Sequence, residues 1–500
     1  MNRIQPVLLA FLLFFSVKNS FAQDQKGCGT PAEKSAWLID YQAHPDHFPQ
    51  RNDDTSWLFV PMTVHILGSD DGVGYYSADK AFNALCELNE DYAPLRIRYY
   101  LAQEFNYINN SAWYSHASFG PGGQMMKASN KPDCLNSYIV ADPAGNCGYY
   151  WGQYDGVALS KSCVSPGDNT WAHELGHNLS LPHPFFGWEG HNNYDYSKPA
   201  PTDWDGWPVE KMDGSNCQIA ADGFCDTPPD YLNYRWDCNT DGTSTVQQKD
   251  PDGVPFTSDG SYYMSYSLDK CSNRFSNEQT KAIRTNLLTQ RANILYTTQA
   301  GPDIAGTSSA DLIAPINNAL AAYDSVHLSW EPVPGAEFYH VWISLYNIPS
   351  AKFYSQLVPG TETSIDVKAN LPLNKAYRWV VIPFSKWDFC APDSLILGKF
   401  TTANLVAAND LERIAKATLL PNPASVADGS QLSVTTSEPF TARLEVVDFS
   451  GKTVFNRPSI AFFEGENNIE LPLSDFPAGV FSVILKSEKG TISHKLVVLN

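Results

Sequence analysis

Trp171-Ala172-His173-Glu174-Leu175-Gly176-His177-Asn178-Leu179-Ser180-Leu181-Pro182-His183 sets three imidazoles and one carboxylate at the spacing of a hydrolytic metal site. On a helix His173 and His177 lie one turn apart on the same face, so both rings can reach one ion. Glu174 falls roughly 100° around from His173, which lets it address water at the ion instead of the ion itself. After Leu179 the chain must leave the helix, and Pro182 just beyond fits that ending. His183 can then swing back as the third ligand. Three protein ligands leave one corner open, which marks a catalytic zinc site and not a closed structural one.

The HExxH pattern by itself also occurs on ordinary amphipathic helices. His183, six residues after His177, makes coincidence hard to sustain. Well downstream, Ser261-Tyr262-Tyr263-Met264-Ser265-Tyr266-Ser267 resembles the methionine turn that lies beneath the zinc ligands of metzincin proteases. Met264 alone would read as core filling. A thermolysin-like enzyme with a downstream glutamate as third ligand uses the same short pattern, and His183 and Met264 disfavour it.

A chain of 500 residues is too long for one ordinary core, so roughly two to four domains are expected. Hydrophobic content of 43% and charged content of 18% describe a globular chain. The formal charge of −20 argues against nucleic acid or anionic membrane as a partner. Residues 1–22 read as a secretory signal: Arg3, an apolar run over 6–17, and small residues around Ala22. No apolar run reaches about 18 residues, so no transmembrane segment is expected and the mature protein is exported.

Ten cysteines in an exported chain suggest disulfides. Cys28 lies at the mature N-terminus and Cys390 stands apart in the C-terminal half. The other eight, Cys86 to Cys271, fall in the catalytic region and can make four bridges. Cys217 with Cys225 and Cys238 with Cys271 are the favoured pairs.

The expected fold class is multidomain: an α/β metzincin-type zinc protease domain followed by two β-sandwich domains. Residues 23–51 form a short prosegment and 52–297 the protease domain, with a strand over 57–67, a helix over 77–89, strands over 95–101 and 137–140, the zinc helix over 170–180 and a closing helix over 277–295. The stretch from His183 to Met264 has little periodicity, and a loop that long is usually functional or tied down by ligands and disulfides. A linker over 298–314 leads to 315–403, where Trp330, alternating Phe338, His340 and Trp342, and Tyr377-Arg378-Trp379 resemble a fibronectin type III sandwich. A second linker, 404–416, precedes 417–500. There Pro421-Asn422-Pro423, Pro477-Ala478-Gly479-Val480-Phe481 and a terminal apolar strand resemble the C-terminal sorting domain of the Bacteroidetes type IX secretion system.

The zinc motif, with Cys225-Asp226-Thr227-Pro228-Pro229, the methionine turn running on to Cys271 and Phe275, and Cys28-Gly29-Thr30, resembles the pappalysin/cytophagalysin group of metzincins over about residues 57 to 290. The resemblance implies a secreted zinc endopeptidase acting on extracellular proteins, with His173, His177 and His183 as zinc ligands. It makes Glu174 the general base and acid, and Tyr266 the group that steadies the tetrahedral intermediate. The group commonly has glycine where this chain has Ser180. If the backbone there needs positive φ, serine stores on the order of 1–2 kcal/mol of strain. Structural calcium in some members directs attention to Asp222, Asp226 and Asp230, which could offer hard oxygen ligands; solvated aspartates in a polar loop are the other reading. Cys28 reads equally as a thiolate latch on the open zinc corner, released by cleavage near Gln50-Arg51, or as a disulfide partner or free thiol. The expected partners are peptide substrates and the type IX secretion machinery, and the expected location is secreted or cell-surface attached. A surface adhesin with a vestigial protease domain is the alternative, against which the intact set from His173 to Tyr266 speaks.

Overall fold

A computed structural model describes residues 27–49, 56–191, 193–304, 308–403, 414–427, 429–448, 451–487 and 490–499. The secretory signal, the cleavage point near Gln50-Arg51 and most of the second linker lie outside the described residues. The chain forms two compact units, the first of residues 1–304 with Phe384–Ala391, the second of the remainder.

In the first unit the strand Leu58–Gly68 is buried along its whole length, as a near-continuous apolar run covered on both faces should be. Its parallel neighbours are Ile97–Leu101, Leu135–Val140 and, over its far half, Asn106–Asn109. Leu135–Val140 in turn pairs in parallel with Gly156–Ser160. Gly148–Trp151 then closes the sheet as an antiparallel edge. Pro61 is accommodated because Leu135–Val140 begins its pairing only at Met62, one residue later. The helix Ala78–Tyr92 buries Phe82, Leu85 and Leu88 on one face. Asn277–Leu288 starts at a full capping box between Ser276 and Gln279. It stops well short of the expected 295, giving way to a 3-10 turn over Ala292–Ile294.

The disulfides correct the expectation of four bridges inside the catalytic region. Cys217–Cys225 and Cys238–Cys271 form, as does Cys147–Cys163, but Cys86 pairs with Cys390. The segment Phe384–Ala391 belongs to the first unit: Phe384 stacks on Phe82 at 4.2 Å and Trp387 on Tyr100 at 4.0 Å. Those aromatic contacts bring a cysteine from far along the sequence to Cys86. Cys134 is left as a buried thiol beside Thr63, and Cys28 is also unbridged.

The second unit contains two sandwiches, each of a three-stranded and a five-stranded sheet. The first, within 312–403, packs Trp330, Tyr339, Tyr377 and Trp379 into its core. The Tyr377 hydroxyl donates back to the Pro372 carbonyl at 3.2 Å, tying a strand start to the turn before it. The second, within 414–499, fills its core with alternating residues such as Leu432, Val434, Leu444, Val446, Val483 and Leu485. Among the described residues no helix is long and apolar enough to cross a membrane.

Candidate metal centre

The helix Thr170–Asn178 is almost entirely buried, which holds its imidazoles in one orientation. It ends two residues sooner than the spacing suggested. Ser180 takes φ +75°, Leu181 N–H donates to the Gly176 carbonyl at 2.9 Å and Ser180 N–H to that of His177 at 2.9 Å. This is a Schellman-type ending with serine in the position that favours glycine. The Asn286 side-chain amide donates to Ser180 Oγ at 3.1 Å and helps hold that residue in the left-handed conformation. The turn carries His183 back under the helix.

The three Nε2 atoms converge, with separations of 3.1 Å (His173–His177), 3.0 Å (His177–His183) and 3.3 Å (His173–His183). Each Nδ1 faces an acceptor: the Tyr263 carbonyl at 2.6 Å, the Leu181 carbonyl at 2.7 Å and Glu189 Oε1 at 3.0 Å. Carbonyls and carboxylates only accept, so each Nδ1 carries the proton and each Nε2 presents a lone pair. Three lone pairs pointed at one spot repel one another unless a cation stands between them. Burial also pushes the basicity of His173 down to about 3 and that of His177 well below the usual range, so protons do not fill the role. The donor set therefore fits zinc, with imidazole nitrogens in a compact trigonal base. Cys28 Sγ lies 3.5 Å from His177 Nε2, and the four donor atoms all fall within 4.8 Å of one another.

Glu174 is fully buried beside this cluster. Oε2 accepts from the Thr30 hydroxyl at 2.9 Å, and Oε1 has no hydrogen-bond partner. Burial raises its carboxyl to about 7, so it can exist in either protonation state near neutrality. The Tyr266 hydroxyl donates to the Cys28 carbonyl at 3.1 Å, and its ring lies edge-on to His183 at 4.8 Å. Residues Gly27 to Thr30 run along the edge strand, with Gly29 N–H bonded to the Gly148 carbonyl and Tyr150 N–H to the Thr30 hydroxyl, both at 2.8 Å. Gly27 and Cys28 line a small cleft together with His173, Glu174, Arg235 and Tyr266.

Met264 is fully buried directly beneath the His helix. A Cβ added at Gly176 would come within 2.3 Å of its sulfur. Gly176→Ala should therefore wedge the helix off the turn and destabilise the first unit by about 1–3 kcal/mol. Met264→Ala in the same chain should recover part of that loss. Thermal melting of the two single variants and the double variant checks this, and strictly additive losses would remove the contact as the cause.

The three aspartates expected to bind calcium do not share a centre. Asp222 accepts from Phe224 N–H and the Thr227 hydroxyl; Asp226 accepts from the Ser276 hydroxyl and Glu278 N–H; Asp230 accepts from the hydroxyls of Ser258 and Ser265. Each carboxylate has its own separate donors, and among the described residues no metal-sized grouping of His, Cys, Asp and Glu contains them. Sequence reading missed two contributors, Glu189 behind His183 and Thr30 on Glu174. Glu189 lies in no quoted motif and Thr30, though within Cys28-Gly29-Thr30, carried no assigned role; only the fold brings them to the site.

Comparison with known proteins places this geometry in context. Residues 418–499 match a family described as the secretion system C-terminal sorting domain. Over 230 residues the chain is 26% identical to an extracellular metalloprotease of Colletotrichum graminicola (strain M1.001 / M2 / FGSC 10212), covering 41% of this chain and 78% of that protein. Extracellular metalloprotease 1 of Coccidioides posadasii (strain C735) is 25% identical over 243 residues, covering 44% and 73%. Among solved structures the chain is similar to the chicken CNTN1 FN1–FN3 domains, at 11% identity and TM-score 0.18, covering 39% of this chain and 66% of that one. The fn3 domain of human collagen alpha-1(XX) is similar at 18% identity and TM-score 0.15, covering 22% and 92%. The extracellular metalloproteases and the sorting-domain match support a metal-dependent peptidase that carries a sorting tail.

Proposed function

We propose that this chain is a secreted zinc endopeptidase of the metzincin type, close to the pappalysin/cytophagalysin group, and that Cys28 holds it latent. The observation that carries the reading is the convergence of three Nε2 lone pairs within 3.3 Å, with a buried carboxyl one residue along the helix. His173, His177 and His183 would hold the metal. Bound there, zinc would supply Lewis-acid chemistry, making water acidic near neutral pH and polarising a peptide carbonyl.

The chain's own groups supply the rest. Glu174 takes a proton from the attacking water through the carboxylate oxygen that has no other partner, and returns it to the departing amine. Once the Cys28 carbonyl is withdrawn, the Tyr266 hydroxyl is free to donate to the oxyanion that forms on the substrate. In the form described here both groups are engaged by the leader: Thr30 on Glu174, Cys28 on Tyr266. A thiolate is itself a zinc ligand, so Cys28 would close the fourth corner.

The sandwich over 315–403, with Trp330 in an early strand and Tyr377 hydrogen-bonded to the turn before it, reads as a fibronectin type III-like spacer. The tail over 417–500 would direct export by type IX machinery, leaving the protein secreted or on the cell surface. Metal analysis of the purified chain together with casein digestion tests the proposal. One zinc per chain and cleavage abolished by a chelator are expected, whereas a metal-free, inert protein after leader removal would support the adhesin alternative.

A further inference from the structure

His173 and His177 each donate Nδ1–H to a backbone carbonyl, whereas His183 donates to a side chain, the carboxylate of Glu189 at 3.0 Å. The difference follows from position. The first two rings sit on a rigid helix, but His183 lies beyond its end, on a loop that turns through Phe186 N–H to the His183 carbonyl at 3.0 Å. Glu189 closes that loop: its second oxygen accepts from Gly187 N–H at 2.8 Å while the first takes the imidazole proton. Phe185 stacks on the ring at 4.4 Å and leaves it little room to tilt. The His183 side chain is 3% exposed and that of Glu189 18%, so the pair is shielded from solvent. Glu189 does not line the cleft in front of the site.

We infer that Glu189 is a positioning residue for the metal, fixing the tautomer and angle of His183 and strengthening its grip on a divalent ion. A charged acceptor draws the Nδ1 proton toward itself and makes Nε2 a better donor. It also places one negative charge a ring's width from a dication that three neutral imidazoles cannot neutralise. The inference rests on the zinc reading above and adds a residue that no part of the HExxH pattern contains.

The test is zinc affinity by competition with a chromophoric chelator, measured on the full chain and on Glu189→Gln, with far-UV circular dichroism to confirm that both are folded without metal. Glu189→Gln is expected to bind zinc about 10- to 100-fold more weakly. An affinity within twofold of the parent would overturn the role of Glu189 and leave the zinc reading standing; a parent chain that takes up no zinc would remove the zinc reading itself. Should the glutamine variant fail to fold, Glu189→Asp and Glu189→Ala are compared instead. The aspartate is expected to hold zinc more tightly than the alanine, and equal affinities would overturn the charge argument.

Discussion

In a chain freed of its latch by Cys28→Ala, replacing Glu174 with alanine is expected to lower kcat/KM on casein or a quenched peptide by on the order of 10⁴-fold, with zinc content unchanged. The size follows from the two proton transfers assigned to one carboxyl, the first from the attacking water and the second to the leaving amine. The separation of the two readouts follows from geometry. Glu174 is buried next to the imidazole cluster, one of its oxygens accepting from Thr30 and the other without a partner, and it is not among the four residues whose donor atoms converge. Removing it should therefore leave the ligands in place. Turnover that survives intact would defeat the assignment, and loss of zinc along with activity would make Glu174 a structural support for the site.

Cys28→Ala alone is expected to raise the activity of the unprocessed chain by about tenfold or more, because the leader then holds the cleft through fewer contacts and the open population grows. The sulfur sits 3.5 Å from His177 Nε2 in a site where burial pushes a free thiol well above its ordinary value. Only a cation among the four donors would hold it as thiolate there. Cobalt substitution gives an independent reading: a thiolate-to-cobalt absorption band in the parent, absent from the variant. Thr30→Val, which removes the hydroxyl from Glu174 but keeps the Cys28 sulfur itself, should release a smaller part of the activity. Equal and low activity in the parent and Cys28→Ala chains, each rising only after proteolysis, would assign latency to leader coverage instead of the thiol.

Much of the first unit could be read in advance because its signals are local. The run ending at Leu67 is apolar at nearly every position, and the helix from Ala78 repeats its apolar residues at helical spacing. The short strands Gly148–Trp151 and Gly156–Ser160 were not legible, being brief and defined by pairing with each other. Neither was the helix Phe119–Ser129, whose Gly120-Pro121-Gly122-Gly123 reads as loop by propensity and is held helical by packing of Met125 and Met126. Cys217–Cys225 and Cys238–Cys271 were favoured in advance, while Cys147–Cys163 was not among the favoured pairs and Cys86–Cys390 could not be had from sequence proximity.

The spacing of His173, Glu174, His177 and His183 was enough to name a metal chemistry, because helical geometry turns a sequence interval into an angle and a distance. The positive φ at Ser180 was signalled by the resemblance instead, through the glycine that the group commonly has at this position. What closes the site could not be had that way. Glu189 behind His183, Thr30 on Glu174, Met264 against Gly176 and the separate hydrogen bonds that divide Asp222, Asp226 and Asp230 arise from segments meeting in space. No interval along the chain encodes those meetings; the burial of surrounding apolar surface brings them about, and it acts on the folded chain as a whole.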